Sequence, residues 1–426
     1  MTEKKKTKSL ESSRLSGQMV KRFYAGAHEA KLQGKPVVWT TAVVPLEIFY
    51  AMDIQPIYPE SYSAANAAKG LGVEMCQVAE EAGWSMDVCS YCRINIAHIL
   101  SGKGMFGGIP KPDFMVVGMS VCLQELTWWE YVARLLKVPL IVLDMPLIVR
   151  SKTGTYRGAS VDRGEIPDYA MEYAVKGIKK FIGEVEHVTG KKMDWDKFKV
   201  LMEKSARASD LWQEIDLLRN AIPSPVSSSD MFGFIFGLVD MAGLEETVEL
   251  YTAVRDEIKG RVLRKEGAIP EEKYRLLWHN LPVWYDLSLY YLFESYGAAF
   301  VAETYSYHGW GRRVDPDYPL ESLVLRLMGH HYNVSLEERW ELYTDTARAR
   351  KVDGAVFFVN MGCKLYTMDH LEGARILKKE LEIPSLMIYG DHGDPRLYNR
   401  TQVENRVLSF LETLSEKKGT RKILAV

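Results

Sequence analysis

Long apolar runs that do not alternate with polar residues mark two units of similar layout along the chain. In the first unit, an apolar stretch from Pro112 leads to Cys122, an amphipathic stretch follows to Lys137, and a second apolar stretch ends at Pro146. Continuous apolar runs of this length are typical of strands that are covered on both faces in a parallel sheet. The pattern therefore predicts strand, helix, strand, the unit from which α/β sheets are built.

The second unit lies near the C-terminus and repeats this order. It opens at Asp353, its apolar strand ends at Cys363, an amphipathic helix follows, and a strand led by proline ends at Asp391. Because only two such copies are visible, the pattern indicates two α/β domains of similar architecture rather than a long solenoid.

Helical periodicity marks the segments before and between these units. We therefore predict an α/β fold with two flavodoxin-like or Rossmann-like parallel-sheet domains, a helical N-terminal arm and a helical middle segment. The predicted domains are the arm (1–35), the first α/β domain (36–160), the mainly helical segment (161–275) and the second α/β domain (276–426).

Composition and charge exclude several classes of protein. The chain has 426 residues, of which 54 are basic and 56 acidic, so the formal net charge is -2 and no overall positive field attracts nucleic acid. Its N-terminal stretch is too polar for a secretory signal, and no segment reaches the roughly 18 uncharged apolar residues that span a bilayer. We expect a cytoplasmic protein that binds neither membranes nor nucleic acid.

The five cysteines are few and odd in number, which argues for reduced thiols with chemical roles rather than a disulfide framework. Cys122 and Cys363 each lie where a predicted strand gives way to a helix, the edge of a parallel sheet at which ligands bind. Cys89 precedes a third predicted helix start. Helix N-termini favour anionic sulfur, and three thiolates can hold an iron–sulfide cube while leaving one iron open.

Other roles for the cysteines stay open at this point. Cys92 follows Cys89 by three residues and is a fourth candidate ligand. The pair could instead form a redox dithiol or half of a zinc site, although a second close pair of zinc ligands is not obvious. A buried cysteine can also be a small apolar residue, which is our interpretation of Cys76.

The motifs around these cysteines resemble the 2-hydroxyacyl-CoA dehydratase and benzoyl-CoA reductase family. The resemblance rests on DVCSYCR, DFMVVGMSVC, GAVFFVNMGC and IPSLMIYGDHGDPR, and it covers nearly the whole chain after the N-terminal arm. It implies that Cys89, Cys122 and Cys363 ligate a [4Fe-4S] cluster between two α/β domains. Cys92 departs from the family pattern, which has a small non-ligand residue there.

The resemblance also implies partners and a source of electrons. Members of the family act on acyl-CoA thioesters and receive low-potential electrons from a separate ATP-hydrolysing iron–sulfur activator. They pair with a homologous second cluster-binding subunit or form homodimers. One branch, the double-cubane proteins, holds an [8Fe-9S] cluster and reduces small molecules. This chain shows no nucleotide-binding P-loop, in keeping with a separate ATPase.

Within the family, one position separates the branches. The dehydratase pattern has a serine three residues before the proline of the first predicted strand, which is Pro45 in this chain. This chain has Ala42 at that position instead. Together with the length of the chain, the alanine at this position favours a benzoyl-CoA reductase-like iron–sulfur subunit that reduces an aromatic acyl-CoA. The alternatives are a (R)-2-hydroxyacyl-CoA dehydratase subunit working through a ketyl radical, a double-cubane protein, a non-catalytic electron-carrier subunit and an iron-free small-molecule binder.

Four further residues are candidates for binding substrate or moving protons. Thr41 and Glu47 flank the end of the first predicted strand, where a polar group could reach the substrate; alternatively they cap a helix headed by Pro45. His308 and His370 are candidate proton donors because imidazole titrates near neutrality. A lone histidine in a loop can equally be structural.

Overall fold

The computed structural model describes residues 9–119, 122–146, 166–307, 310, 312–331, 333 and 335–419. Its α-helices are α1 (Ser13–Leu32), α2 (Leu46–Ala51), α3 (Pro59–Ala68), α4 (Gly72–Glu81), α5 (Ser90–Ser101), α6 (Leu123–Leu136), α7 (Asp168–Thr189), α8 (Trp195–Leu218), α9 (Ser228–Phe234), α10 (Phe236–Asp240), α11 (Glu245–Leu263), α12 (Ser288–Glu294), α13 (Thr304–Tyr307), α14 (Pro319–Met328), α15 (Leu336–Ala349), α16 (Lys364–Thr367), α17 (His370–Leu381) and α18 (Arg400–Lys417). Short 3-10 helices lie at Met105–Gly107, Trp284–Asp286 and Pro395–Leu397. The strands are β1 (Val37–Thr40), β2 (Gln55–Ile57), β3 (Phe114–Gly118), β4 (Leu140–Leu143), β5 (Tyr274–His279), β6 (Ala298–Glu303), β7 (Gly354–Asn360) and β8 (Ser385–Gly390).

The strands form two four-stranded parallel sheets with the same internal order. The first sheet runs β2-β1-β3-β4 and the second β6-β5-β7-β8. In register, Thr40 pairs with Val116 in the first sheet, and His279 pairs with Phe357 in the second. The prediction of an α/β fold with two parallel-sheet domains is therefore confirmed. In each sheet the second strand in chain order lies on one side of the first, and the third strand lies on its other side. Open α/β sheets bind ligands at this switch in strand order.

Both faces of each sheet are buried, which explains the continuous apolar runs. On β3, Met115 and Val116 are adjacent in sequence but belong to separate apolar clusters on opposite faces. On β7, Ala355 and Val356 are divided in the same way. Because neighbouring strand residues point to opposite faces, a strand covered on both faces needs apolar residues at every position.

Buried ion pairs and a hydrogen bond join the helical middle segment and the two α/β units to one another. Arg219, which follows α8, donates from Nη1 to Oε1 of Glu303 at the end of β6, over 2.6 Å. On the other side, Arg326 of α14 contacts both carboxylate oxygens of Glu47 at 2.7 and 2.8 Å, and Ser205 of α8 donates to the same carboxylate at 2.6 Å. Since a buried charge is costly without its partner, these pairs resist relative movement of the elements that carry them.

Among the helices in the described part of the chain, none is both long and apolar enough to cross a membrane.

Candidate active site

Three of the cysteines occupy equivalent places at the starts of helices. Cys89 directly precedes α5, Cys122 precedes α6 and Cys363 precedes α16. Cys122 follows β3 and Cys363 follows β7, so each lies at the ligand-binding edge of its own sheet. All three line one cavity. The fold thus brings together residues that are far apart in sequence; their role as ligands stays a prediction.

The cavity has a volume of about 550 Å³ and mostly apolar walls. Aromatic side chains dominate those walls, among them Trp84, Trp128, Trp284, Tyr305 and Trp310. Among the described residues, no lysine or arginine lines the cavity. A space of this size and lining suits a drug-sized apolar group.

Burial governs the electrostatics of the three thiols. It raises the pKa of Cys89, and the nearby Cys363 sulfur raises that pKa further. Burial likewise raises the pKa of Cys363 to about 12. For Cys122, burial raises the pKa, although the backbone N–H groups of Gln124 and Glu125 donate to its sulfur and oppose the shift. Unaided, these thiols stay protonated at neutral pH, so the thiolate forms here need a bound cation.

The three cavity thiols do not lie close enough together to form a ready site for one metal ion. Within the described residues, three metal-binding side chains bring ligand atoms within 4.8 Å of one another only at His279, Asp369 and His370. A single zinc ion with Zn–S bonds of about 2.3 Å needs its sulfurs about 3.8 Å apart. At least one pair of the three cavity sulfurs is more than 4.8 Å apart, so one zinc ion could not bind all three sulfurs without movement of the chain.

Two carboxyl groups, that of the partly buried Glu60 and that of the buried Glu125, face each other in the same cavity. Glu60 lies in the first turn of α3 and Glu125 in the first turn of α6, and their side chains are hydrogen-bonded. The backbone N–H of Ala42 donates to Oε2 of Glu60 at 2.9 Å. Burial raises the pKa of Glu60 to about 7 and raises that of Glu125 well above its usual range, where the charge of Glu60 adds to the effect. The pair therefore holds a proton near neutral pH.

A third carboxyl group, that of the buried Asp240 at the end of α10, also lines the cavity. Ser61 donates to its Oδ2 at 2.8 Å. Burial raises the pKa of Asp240 well above its usual range. Sequence analysis missed all three acids. Glu60 and Glu125 look like ordinary first-turn acids of helices, and Asp240 comes from the middle segment, so no local signal connects them to the cysteines.

The two residues predicted to bind substrate do not line the cavity. Oγ1 of Thr41 accepts a hydrogen bond from the Gly118 N–H at 2.9 Å. The carboxylate of Glu47 is occupied by Arg326, and that ion pair lowers its pKa even though burial alone would raise it. Ala42, next to Thr41 in sequence, does line the cavity. A substrate-binding role for Thr41 or Glu47 stays a prediction.

The predicted proton donors and the fourth candidate ligand lie in different settings. His308 lies outside the described residues. His370 is buried, and burial together with the neighbouring His279 lowers its pKa to about 3, so its imidazole is neutral at physiological pH. Cys92 is a buried residue of α5 that lines the cavity. Cys76 packs in a separate small apolar cluster.

Comparisons with known proteins agree with the resemblance noted in the sequence. The family described as "2-hydroxyglutaryl-CoA dehydratase, D-component" matches residues 41–414. The chain is 29% identical to the (R)-2-hydroxyisocaproyl-CoA dehydratase alpha subunit of Clostridioides difficile, over 98% of each chain. It is 30% identical to the (R)-phenyllactyl-CoA dehydratase alpha subunit of Clostridium sporogenes, over 92% of this chain and 93% of that one. It is 28% identical to a benzoyl-CoA reductase subunit of Thauera aromatica, over 94% of each.

Proposed function

The chain belongs to the 2-hydroxyglutaryl-CoA dehydratase D-component family, and from that premise we propose that it is the cluster-binding subunit of an enzyme that delivers low-potential electrons to an acyl-CoA thioester. It is an enzyme subunit of a family that includes both dehydratases and a reductase. One observation carries the proposal: three cysteines at helix starts share an apolar cavity with a pair of facing carboxyl groups.

Cys89, Cys122 and Cys363 are the proposed cluster ligands. When bound, a [4Fe-4S] cluster would supply one-electron chemistry and an iron without a protein ligand. The protein contributes helix N-termini, whose positive ends favour anionic sulfur. The N–H groups of Gln124 and Glu125 favour the anionic form of the Cys122 sulfur and so oppose the rise of its pKa. The apolar walls keep water away from the reacting group.

Glu60 and Glu125 are the proposed proton-handling residues. A carboxyl pair that shares one proton near neutral pH contains both an acid and a base, and burial keeps its pKa in the useful range. Because both residues line the cavity, either one could exchange a proton with an acyl group held there. The same pocket argues against a pure electron carrier, which would need no space for a substrate beside its thiols.

The lining also indicates the class of acyl group. A 2-hydroxyglutaryl group carries a free carboxylate, and burying that charge in an apolar cavity with no cationic side chain among the described lining residues is unfavourable. We expect the KM for 2-hydroxyglutaryl-CoA to be at least about tenfold higher than that for phenyllactyl-CoA, a difference of about 1.4 kcal/mol. Initial-rate assays of the two thioesters, with each as a competitor of the other, measure this ratio. Equal KM values would contradict the proposed apolar acyl pocket.

Two reactions are candidates, and a different observation favours each. The names of the relatives favour dehydration of a 2-hydroxyacyl-CoA with an apolar side chain, since dehydratase alpha subunits match at 29 and 30% identity. Ala42, in place of the serine of the dehydratase pattern, favours reduction of an aromatic acyl-CoA, our first expectation from the sequence. The comparisons do not specifically favour that first expectation. Aromatic cavity walls suit an aryl group in either case.

Product analysis separates the two reactions. The intact enzyme, purified anaerobically with its associated subunits, is supplied with a low-potential reductant and an ATP-hydrolysing activator, then offered phenyllactyl-CoA or benzoyl-CoA. Mass spectrometry distinguishes loss of one water from gain of two hydrogens. Turnover of neither thioester by an iron-loaded enzyme would overturn the proposal.

We also propose that the chain works in a multi-subunit enzyme, because the relatives are themselves named as single subunits of larger enzymes. The partner would be a homologous cluster-binding subunit or a second copy of this chain. A single [4Fe-4S] cluster predicts about four irons per chain, whereas a double-cubane [8Fe-9S] cluster predicts about eight.

Gly362 provides a test of how the thiols converge. A Cβ at this position would lie 2.3 Å from Oδ2 of Asp391 and 3.5 Å from Cα of Cys89. We expect Gly362→Ala to displace the segment that carries Cys363, to lower stability by about 1–3 kcal/mol and to reduce bound iron to less than half. Urea unfolding and iron quantitation measure the two effects.

The matched control is Gly26→Ala in α1, where an added Cβ meets nothing within 4 Å. It should keep the iron of the wild type and equal or slightly exceed its stability, because alanine is favoured over glycine inside a helix. Wild-type iron and stability in Gly362→Ala would mean that this close approach does not position Cys363.

A further inference from the structure

A buried histidine from the second α/β unit reaches the cysteine of the first. His392 follows β8, and its Nε2 lies 3.7 Å from Sγ of Cys89 and 3.1 Å from Oγ of Ser90. Its ring is fully buried and packs edge-on against Tyr91, with 4.2 Å between ring centroids. The imidazole therefore lies against the sulfur of one proposed ligand, in a position held by packing.

Neighbouring amides decide which ring nitrogen of His392 carries the proton. Asn360, at the end of β7, lies beside Nδ1 with its Nδ2 at 2.9 Å and its Oδ1 at 3.1 Å. Oδ1 of Asn360 accepts the Gly362 N–H at 3.2 Å, and Nδ2 also points to Oδ1 of Asn280 at 3.4 Å. In turn, Oδ1 of Asn280 accepts the Leu281 N–H at 2.7 Å. These bonds orient both amides, and from them we assign Nδ2 of Asn360, the nearer of its two side-chain atoms, as the donor to Nδ1 of the imidazole.

A nitrogen that accepts a hydrogen bond carries no proton of its own, so the proton of the neutral His392 ring is on Nε2. The carboxylate of Asp391 does not change this assignment. Its Oδ1 is 3.8 Å from Nδ1, beyond hydrogen-bond distance, and already accepts the N–H groups of Gly393 and Asp394 at 2.8 and 3.0 Å. The Nε2–H thus points at Cys89 and Ser90.

We propose that His392 is a positioning residue that donates a hydrogen bond from Nε2 to the Cys89 sulfur and thereby raises the reduction potential of the cluster. The inference rests on the proposed function, because it needs a cluster on Cys89. A donor to a ligating thiolate stabilises negative charge, and it stabilises the reduced state most because that state carries one more electron. The reduction adds one electron from the reductant in the titration and breaks no bond in the protein.

The test is a potentiometric titration of the intact enzyme, followed by electron paramagnetic resonance under anaerobic conditions. We expect His392→Leu to keep its iron and to shift the one-electron equilibrium toward the oxidised state at least tenfold, a fall of about 59 mV in midpoint potential. His392→Gln retains an N–H donor and should shift it less. Ser90→Ala removes the competing oxygen acceptor, so its potential should equal or exceed that of the wild type.

Further variants keep the inference falsifiable if His392→Leu loses its cluster. Asn360→Leu removes the amide that fixes the ring proton and should also lower the potential. The matched control is His98→Leu, since His98 is a buried histidine of α5 that bonds to Lys103 O and Ile109 N rather than to a cavity thiol.

The possible outcomes distinguish a failure of the proposed function from a failure of the role assigned to His392. If the wild-type enzyme holds no iron–sulfur cluster, the proposed function fails. If the cluster is present, but Asn360→Leu titrates at the potential of the wild type, and His392→Leu does so too where it keeps its iron, the cluster-binding role stands and the assignment to His392 is overturned.

Discussion

Cys363→Ala is expected to lose nearly all bound iron, falling to less than about a tenth of the roughly four irons per chain that one cubane requires. The reason is that Cys363 is the proposed ligand from the second α/β unit, whereas Cys89 and Cys122 both come from the first. With only the two thiolates of the first unit as ligands, the iron–sulfur core would be exposed to solvent on the side of the second unit. Iron and sulfide quantitation after anaerobic purification measures the loss, and catalytic activity should fall with it.

The other cysteines provide matched controls. Cys92→Ala tests the fourth candidate, which lines the same cavity but lies within α5 rather than before it. Cys76→Ala tests a buried cysteine in a separate apolar cluster. Both variants should keep about four irons per chain. If Cys92→Ala loses iron while Cys89→Ala keeps it, the proposed ligand set is wrong.

Glu60→Gln is expected to keep its iron but to lower kcat by about 10²–10⁴-fold, the usual contribution of a positioned acid or base. An amide preserves the shape of the side chain and can no longer exchange a proton. In the wild type, activity that depends on the protonation state of the Glu60–Glu125 pair should change near pH 7, because burial raises the pKa of Glu60 to about 7. The variant should lack this step in its pH–rate profile.

Glu74→Gln is the control for this experiment, since Glu74 is an exposed residue that pairs with Lys103 at the surface. It should retain both the rate and the pH profile of the wild type. Unchanged kcat in Glu60→Gln would remove Glu60 from the reaction.

The same pKa shift has a consequence for stability. A carboxyl group whose pKa is higher in the folded protein than in the unfolded chain stabilises the fold at low pH. For Glu60, that contribution is complete below its usual pKa of 4.5 and is lost as the pH rises through about 7. Urea unfolding at pH 5 and pH 8 should therefore show a smaller loss of stability in Glu60→Gln than in the wild type.

Much of the fold follows from local patterns in the sequence. Continuous apolar runs predict strands buried on both faces, and the cysteines that end those runs lie at the ligand-binding edges of their sheets, as at Cys122 and Cys363. These inferences succeed because strand burial and strand-to-helix transitions are local properties.

The cavity acids could not be predicted because their role depends on contacts between distant segments. Glu47 and Glu60 are both first-turn acids near the first strand. Glu47 is neutralised by Arg326, 279 residues away, whereas Glu60 faces Glu125 in the cavity. Nothing in the local sequence distinguishes an acid with a distant arginine partner from one without.

Histidines show the same limit. His370 follows Cys363 closely in sequence, yet in the structure it bonds to Asn280 and does not line the cavity. His392 is 303 residues from Cys89 and lies against its sulfur. His370 was predicted from its proximity to Cys363 in sequence. The packing of one unit on the other determines which imidazole lies near a thiol.

We propose that Cys89, Cys122 and Cys363 hold one metal cluster at the cavity between the two units. Anomalous X-ray diffraction at the iron edge, from crystals grown anaerobically, would locate the iron atoms. We expect a compact group of iron atoms bonded to these three sulfurs, with one iron facing the cavity. Iron bound elsewhere, such as at His279, Asp369 and His370, or an iron-free cavity in an active enzyme would contradict it.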